Sequence, residues 1–437
     1  MNENELESMR NSFKTVYNKR KSILNDPQVK NLQEKVIDIR KDSIDNNEKL
    51  IETLKESFKK NDIDYAFADN AEEARNIICD VIKSEINEDL KDDTSNYSFN
   101  DNNNFNDNDF NDDNSFNDKN SIVVAKSKSN TLGEIAASKF LQSKGINVIE
   151  TDLGDRILQL KGKDNKPTHP TGPASHLNVE EISKIVSKGL NIDVACDPKA
   201  IMEVVKEDIL NKVSEADIGL SGANAVACED GSLVFVHNEG NISLVSLMKT
   251  HIIVAGIEKL VRTIEDAISI AKLETIYATG SKVTSYINIV SGPSKTADIE
   301  KKLLKNMYGA EKVFVIILDN GRLEAIESIT ECLYCIGCGS CIVTCPVYNA
   351  IGNEFGFNNY LGGRGVAMSK FIQDTETSIS SGLYKCTLCG LCKINCPVTI
   401  STSDIIENIR AETLKKGLYP EKHGKFKDNI KNKGSPY

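Results

Sequence analysis

Over the first sixty residues apolar side chains return every three or four positions among Glu, Lys and Asn, as at Leu50, Ile51, Leu54 and Phe58, the spacing of one helix face. This predicts a helical N-terminal lead-in over residues 1–65. Ala74, Ile77, Ile78 and Ile82 carry the same period as the buried stripe of a helix from Ala71 to Ile86. The pattern then lapses. From Asp92 to Asn120 the chain is mostly Asn and Asp, with Phe-Asn-Asp recurring at Phe99, Phe105, Phe110 and Phe116. So little apolar surface cannot offset the entropy of ordering, and a disordered insertion is expected there. Lengthening a loop by this much costs only ~2 kcal/mol of closure entropy. The carboxylates lack the ligand pattern and turn glycine of a calcium loop.

From Ser121 onward short apolar runs alternate with helical stretches. Strands are predicted at Ser121 to Ala125, Ile146 to Glu150, Asp217 to Leu220, Leu233 to His237, Ile252 to Ala255, Ser285 to Val290 and Val313 to Leu318. Between them, Thr131-x-x-Glu134 reads as a capping box for a helix ending at Gly145, and Asn178-x-x-Glu181 starts another. Asp197-Pro198 offers an N-cap and a first-turn proline for a helix to Val213. Runs this apolar, interleaved with helices, predict an α/β domain over residues 66–325, built on an open, mainly parallel sheet covered on both faces.

Length and charge narrow the class. A chain of 437 residues suggests two or three domains. Its net charge of −11 argues against a nucleic-acid partner. The N-terminus is charged from Glu3 onward and stretches such as Phe314 to Leu318 are too short to span a bilayer, so no transmembrane segment and a cytoplasmic location are expected. Nine of the twelve cysteines lie between Cys332 and Cys396. The scattered Cys79, Cys196 and Cys228 are expected to be buried in the ordinary way.

The clustered cysteines form two like runs, Cys335-x2-Cys338-x2-Cys341-x3-Cys345-Pro346 and Cys386-x2-Cys389-x2-Cys392-x3-Cys396-Pro397. Three thiolates at two-residue spacing can wrap one cubane, while the proline-anchored fourth ligates the other cluster of a pair. Two [4Fe-4S] clusters are therefore expected, one on Cys335, Cys338, Cys341 and Cys396, the other on Cys386, Cys389, Cys392 and Cys345. Zinc closes with four ligands, usually in separated pairs, and does not need the run twice. Disulfides fit such crowded cysteines poorly. Cys332 extends the rhythm backwards, but the second run has Leu383 at that place, so Cys332 reads as a spare thiol packed beside the cluster. Residues 326–412 are predicted to form a helical, ferredoxin-like two-cluster domain, followed by a Lys-rich tail over 413–437.

Ligands of open parallel sheets collect at the C-terminal ends of strands. That rule selects Lys126, Ser127, Lys128 and Ser129; Thr151, Asp152 and Gly154; Ser221 to Asn224; and Glu239, Gly240 and Asn241. Their glycines and small residues leave N–H groups free for an anion, and Lys126 and Lys128 can add charge. The reading of turn glycines and solvated lysines stands beside this one. His169 and His176 flank Pro170, Gly172 and Pro173 in a rigid loop that could overhang the site, and a satisfied buried imidazole is the alternative for each. No Gly-x-Gly-x-x-Gly or P-loop follows a strand.

Taken together, the residues resemble the lactate-utilisation family, in particular its iron-sulfur B-subunit type. The likeness is carried by Ala71 to Arg75, Lys126 to Ser129, Glu150 to Gly154, Gly222 to Asn224, Asn238 to Asn241, Lys249 to His251, Gly256 to Lys259, Gly292-Pro293, Asp319 to Arg322 and both cysteine runs. The resemblance implies a sheet like that of the sugar-isomerase and CoA-transferase folds. It also implies an iron-sulfur electron-transfer subunit in a complex that oxidises a 2-hydroxy acid, L-lactate to pyruvate, with other subunits as partners and a small carboxylate as substrate. Two other readings remain: a CoA- or acyl-transfer enzyme with structural clusters and Glu239 as nucleophile, and a ferredoxin-like adaptor of heterodisulfide-reductase type. Lys126, Lys128, His176 and Glu239 are the candidate catalytic residues.

Overall fold

The computed structural model describes residues 1–89, 122–162 and 166–436. The Asn/Asp-rich insertion from Asp92 to Asn120 lies outside them.

Six strands, β1 (Asp64–Ala68), β2 (Val123–Lys126), β3 (Asn147–Glu150), β4 (Ile218–Gly222), β7 (Thr250–Gly256) and β10 (Lys312–Leu318), form one sheet in the order β1-β10-β7-β4-β2-β3. Every neighbouring pair runs parallel. Alternate residues of one run serve opposite faces. Ile252, Val254, Ile316 and Leu318 pack under helices Ala71–Asp89 and Ala137–Ser143, while Ile253, Ala255, Val315 and Ile317 meet Leu50, Leu54 and Phe58 of helix Asn47–Lys60. Both faces are covered, which is why these strands read as unbroken apolar runs. β1 was not predicted, because Asp-Tyr-Ala-Phe-Ala is short, small-residue-rich and only partly buried, without a clear alternation.

Two expected strands belong elsewhere. β5 (Ala225–Ala227), β6 (Ser232–His237), β8 (Leu260–Val261) and β9 (Tyr286–Val290) make a second sheet in which β5–β6 and β6–β9 are antiparallel. Only residues 228–231 link β5 to β6, far short of a parallel crossover, and Gly231 turns there with φ of 72°.

The caps at Asn178 and Asp197 occur as expected, each accepting backbone N–H groups of its helix. Thr131 and Glu134 do not form a capping box. Ser129 caps the short helix Asn130–Glu134, which ends before Ala136 in the left-handed region. Glu134 is held instead by Arg322, Tyr360 and Asn320. Cys79 and Cys228 are buried, but Cys196 is exposed, since it precedes the N-cap Asp197 in a surface turn.

The N-terminal helices are not a free lead-in. α1 (Glu3–Ile23) and α2 (Pro27–Asp45) place Leu6, Met9, Phe13, Val36 and Ile39 in one core with helix Ile264–Thr279 and the cysteine-bearing region. Arg10 donates to the Asn349 carbonyl at 2.9 Å, and the amino terminus meets Glu354 at 3.4 Å. The C-terminal tail forms a helix, Glu421–Lys433, with no buried residue.

Candidate functional site

The two cysteine runs fold alike. Gly337 and Gly339 in the first, and Leu388 and Gly390 in the second, take positive φ at matching places, curling each loop before a one-turn helix, Ser340–Val343 or Leu391–Ile394. Cys345 then caps helix Pro346–Ile351, its sulfur accepting the Tyr348 N–H at 3.5 Å, so it points away from its own loop.

Two cavities result. One is ringed by Cys335, Cys338 and Cys341, with Cys396 and Cys392 from the second run. The other is ringed by Cys386, Cys389 and Cys392, with Cys345 and Cys341 from the first. The expected crossed sets thus come together, and Cys341 and Cys392 lie on the wall between them. Cys332 lines neither cavity, and burial pushes its thiol up to about 12.

The donor chemistry suits iron-sulfur clusters. Soft thiols spaced around a volume, with backbone N–H groups such as that of Gly337 directed at sulfur (3.4 Å), are what a cubane uses. Among the described residues no carboxylate lines either ring. Among the described residues no three His, Cys, Asp or Glu groups converge as they would on a single ion.

Four arginines hold the loops, and sequence reasoning missed all of them. Arg40 donates to the carbonyls of Leu333 (2.5 Å) and Tyr334 (3.2 Å), Arg364 to Cys332 (2.9 Å), and Arg410 to Leu383 (2.7 Å) and Cys386 (2.6 Å). Arg20 reaches the Tyr277 carbonyl at 3.2 Å and the Ser340 hydroxyl. The contacts of Arg40, Arg364 and Arg410 satisfy carbonyl oxygens where each loop begins. Arg364 also lines both cavities, 5.1 Å above the Tyr360 ring. Nothing local in the sequence marks these residues, because each contact joins distant elements.

The C-terminal strand ends of the main sheet lie on one edge, and the first cysteine loop closes over it. A Cβ on Gly337 would stand 3.5 Å from Glu274 Oε1 and 4.0 Å from Asn130 Nδ2, and one on Gly339 would collide with His169 Nε2. Tyr348 donates to the Thr168 carbonyl at 2.9 Å. The loop carrying His169 is therefore wedged between the sheet edge and the cysteines.

Both candidate lysines are already paired. Lys126 is buried with Glu150, at 3.0 and 2.9 Å from its two oxygens. Lys128 lies 2.6 Å from Asp152 and 3.3 Å from the Thr171 carbonyl. Although burial works against it, Asp152, Asp155 and Glu239 keep the Lys128 ammonium above its ordinary range. Burial, then the charges of Asp152 and Glu150, raises Asp155 to about 7. An anion at Lys128 would have to displace carboxylates. Glu239 accepts the Leu153 N–H at 3.0 Å, a helix-capping role that ties up the proposed nucleophile.

His176 is buried against the Thr168 hydroxyl at 3.1 Å, and burial takes it down to about 4. His169 accepts from Thr171 and is lowered to about 3, again by burial. Both are neutral packing groups. Asn224 donates to Glu274 at 2.8 Å, Ser129 and Asp152 cap helices, and Ser127 is buried with an unpartnered hydroxyl. Lys259, just past β7, is a further cation at this edge. It is half-buried, has no hydrogen bond or ion pair among the described residues, and its charge acts on Glu274.

Residues 51–318 match the LUD domain, and residues 331–400 match a 4Fe-4S dicluster domain. The chain is 36% identical over 285 residues to a lactate utilization protein B of Macrococcus caseolyticus, covering 65% of this chain and 58% of that protein. It is 31% identical over 371 residues to one from Anoxybacillus flavithermus, covering 84% and 69%. An uncharacterized electron transport protein of Escherichia coli is 33% identical over 297 residues, covering 68% and 60%. The chain thus spans just under three fifths of the Macrococcus relative's length. A crystal structure of a DUF162 family protein from Deinococcus radiodurans, 14% identical, covers 45% of this chain and 88% of its own, with a TM-score of 0.19.

Proposed function

Because the chain belongs to the LUD domain family and carries a 4Fe-4S dicluster domain, we propose that it is the iron-sulfur electron-transfer subunit of a complex that oxidises a 2-hydroxy acid, L-lactate to pyruvate. Two [4Fe-4S] clusters would be held by Cys335, Cys338, Cys341 and Cys396, and by Cys386, Cys389, Cys392 and Cys345. Such clusters, when bound, take up and release electrons one at a time.

The observation that carries the reading is the placement of the first thiol-ringed cavity against the strand ends of the α/β sheet, at Gly337 beside Glu274 and Asn130. A small acid held at that edge would lie next to the entry of the relay. Oxidising an alcohol to a ketone releases two electrons and two protons. The two-electron step is assigned to a partner subunit, and this chain passes the electrons on singly.

With Lys126 and Lys128 committed to carboxylates, the substrate's carboxylate is assigned to Lys259. In the reconstituted complex, Lys259→Ala is expected to raise the lactate concentration for half-maximal cluster reduction about tenfold to a hundredfold, the effect of losing a charge-assisted hydrogen bond. Iron content and reducibility by dithionite should not change. If the variant's lactate dependence equals that of the parent, the α/β domain only docks partners. Anaerobically purified protein is expected to carry about eight irons, and an assay returning zinc alone would end the cluster reading.

A further inference from the structure

The two cysteine loops share a backbone but not their surroundings. In the first, Ile336, Ile342 and Val343 are buried, Arg20 ties Ser340 to α1, and His169 lies on Gly339. The second run repeats the first 51 residues later, and its matching positions are Thr387, Lys393 and Ile394, all exposed, with Lys385 in place of Tyr334. Cys389 is exposed, Leu391 is 37% exposed and Ile394 78%. Residues 377–403 contain both lysines and no Asp or Glu, in a chain of net charge −11. Two acids border the stretch: Asp404 stands 3.9 Å from Lys393 in a loose, exposed pair, and Glu331 accepts the Ser401 N–H at 2.8 Å. Helix Glu421–Lys433, whose five lysines outnumber Glu421 and Asp428 and include Lys425 paired with Glu421 at 2.6 Å, extends the basic side, and its His423 ring packs on Tyr384, two residues before Cys386.

We propose that the loop from Lys385 to Asn395 is the port through which electrons leave, and that it receives an acidic one-electron acceptor protein. The inference rests on the two cavities being [4Fe-4S] sites and adds the partner's chemistry. Electron-transfer encounters use small interfaces. Their rates are set by complementary charge, which steers approach without demanding high affinity. Leu391 and Ile394 supply apolar contact beside the exposed thiol, while Lys385 and Lys393 supply the charge. Around the first cavity the matching side chains, Ile336, Ile342 and Val343, are buried in the core shared with α1 and α2, so that loop presents no comparable exposed apolar and basic contact among the described residues. One electron leaves the reduced protein per encounter, the acceptor is reduced by one, and no proton or ligand moves.

The test uses the iron-loaded full chain reduced with dithionite, so that it does not depend on lactate. Oxidation is followed by stopped flow with hexacyanoferrate(III), whose iron goes from III to II, and with the cation hexaammineruthenium(III). For the anion the rate constant is expected to fall about tenfold between low and high salt, and for the cation to rise or stay level. Lys385→Glu with Lys393→Glu should slow the anion about tenfold at low salt and speed the cation, with iron content and reduction potentials retained. A second readout needs no electron transfer: the redox-inert hexacyanocobaltate(III), whose binding is measured by isothermal titration calorimetry, should bind the double variant about tenfold more weakly. Lys188→Glu with Lys206→Glu, on distant exposed helix faces, should change nothing. Loaded protein that prefers the cation, or a double variant indistinguishable from the parent, overturns the port alone. Protein that never takes up iron overturns the cluster reading and the port with it.

Discussion

Cys345 and Cys341 stand four positions apart yet face different consequences. Cys345, turned away by its helix-capping geometry, lines only the second cavity. Cys345→Ser is therefore expected to remove the signal of the cluster on Cys386, Cys389 and Cys392, and to spare that of the first run's own cluster. Electron paramagnetic resonance of the reduced variant would show which signal is lost, and loss of the first run's signal alone would reverse the assignment. Cys332→Ser should leave iron content unchanged, since that thiol reaches neither ring. These positions were legible because ligand spacing is local to the chain. Lys259 and the four arginines were not, since their roles depend on elements brought together from far apart. Lys126 and Lys128 misled for the same reason: the sequence offers two lysines at a strand end, and only the fold supplies Glu150 and Asp152 opposite them.

Among the elements, β7 and β10 show how the sheet edge is fastened. Just beyond their ends, Glu258 and Arg322 meet at 2.5 Å, and Arg322 also binds Glu134 at 2.9 and 2.7 Å, all three buried. Tyr360, from the cysteine-bearing region, donates to Glu134 at 2.6 Å and joins the two parts of the molecule. Arg322→Met would strand two buried carboxylates and is expected to cost about 3–5 kcal/mol, measured as a fall in the urea midpoint. Burial alone would raise the Glu258 pKa, but Arg322, then Lys259 and Arg364, outweigh it and hold the carboxyl down to about 2. Its contribution to stability is thus complete above its ordinary value of 4.5 and is lost as pH falls from there toward about 2. Urea titrations of Glu258→Gln should show a shallower loss across that window than the parent does. The main strands were legible from their apolar runs. The second sheet was not, because an apolar run does not say which sheet it joins. The break at Ala136 was also hidden, since Glu134 serves Arg322 rather than its own helix start.

At the scale of the whole molecule, the division expected from the sequence into a lead-in, an α/β domain and a cluster domain leaves out how the first helices pack. α1 touches both halves: Glu5 pairs with Lys161 at 3.3 Å, Phe13 packs on His169 and Tyr348, and Arg20 reaches Ser340. Removing residues 1–45 is expected to uncover the first loop. Iron at that cluster should then be lost to air faster than at the second, which a time course of the two resonance signals would show. Equal rates would mean the helices shield nothing. The same embrace sets an order of manufacture. The ribosome makes α1 and α2 before their partners around Tyr334, Ser340 and Asn349, so the two helices wait through synthesis of the sheet domain without the surface they bury. Four thiols spread over both runs must also be gathered before the first cavity has its full ring. Metal delivery thus falls after translation and before the N-terminal helices close, and chains starved of iron should expose these helices to protease while the sheet domain resists.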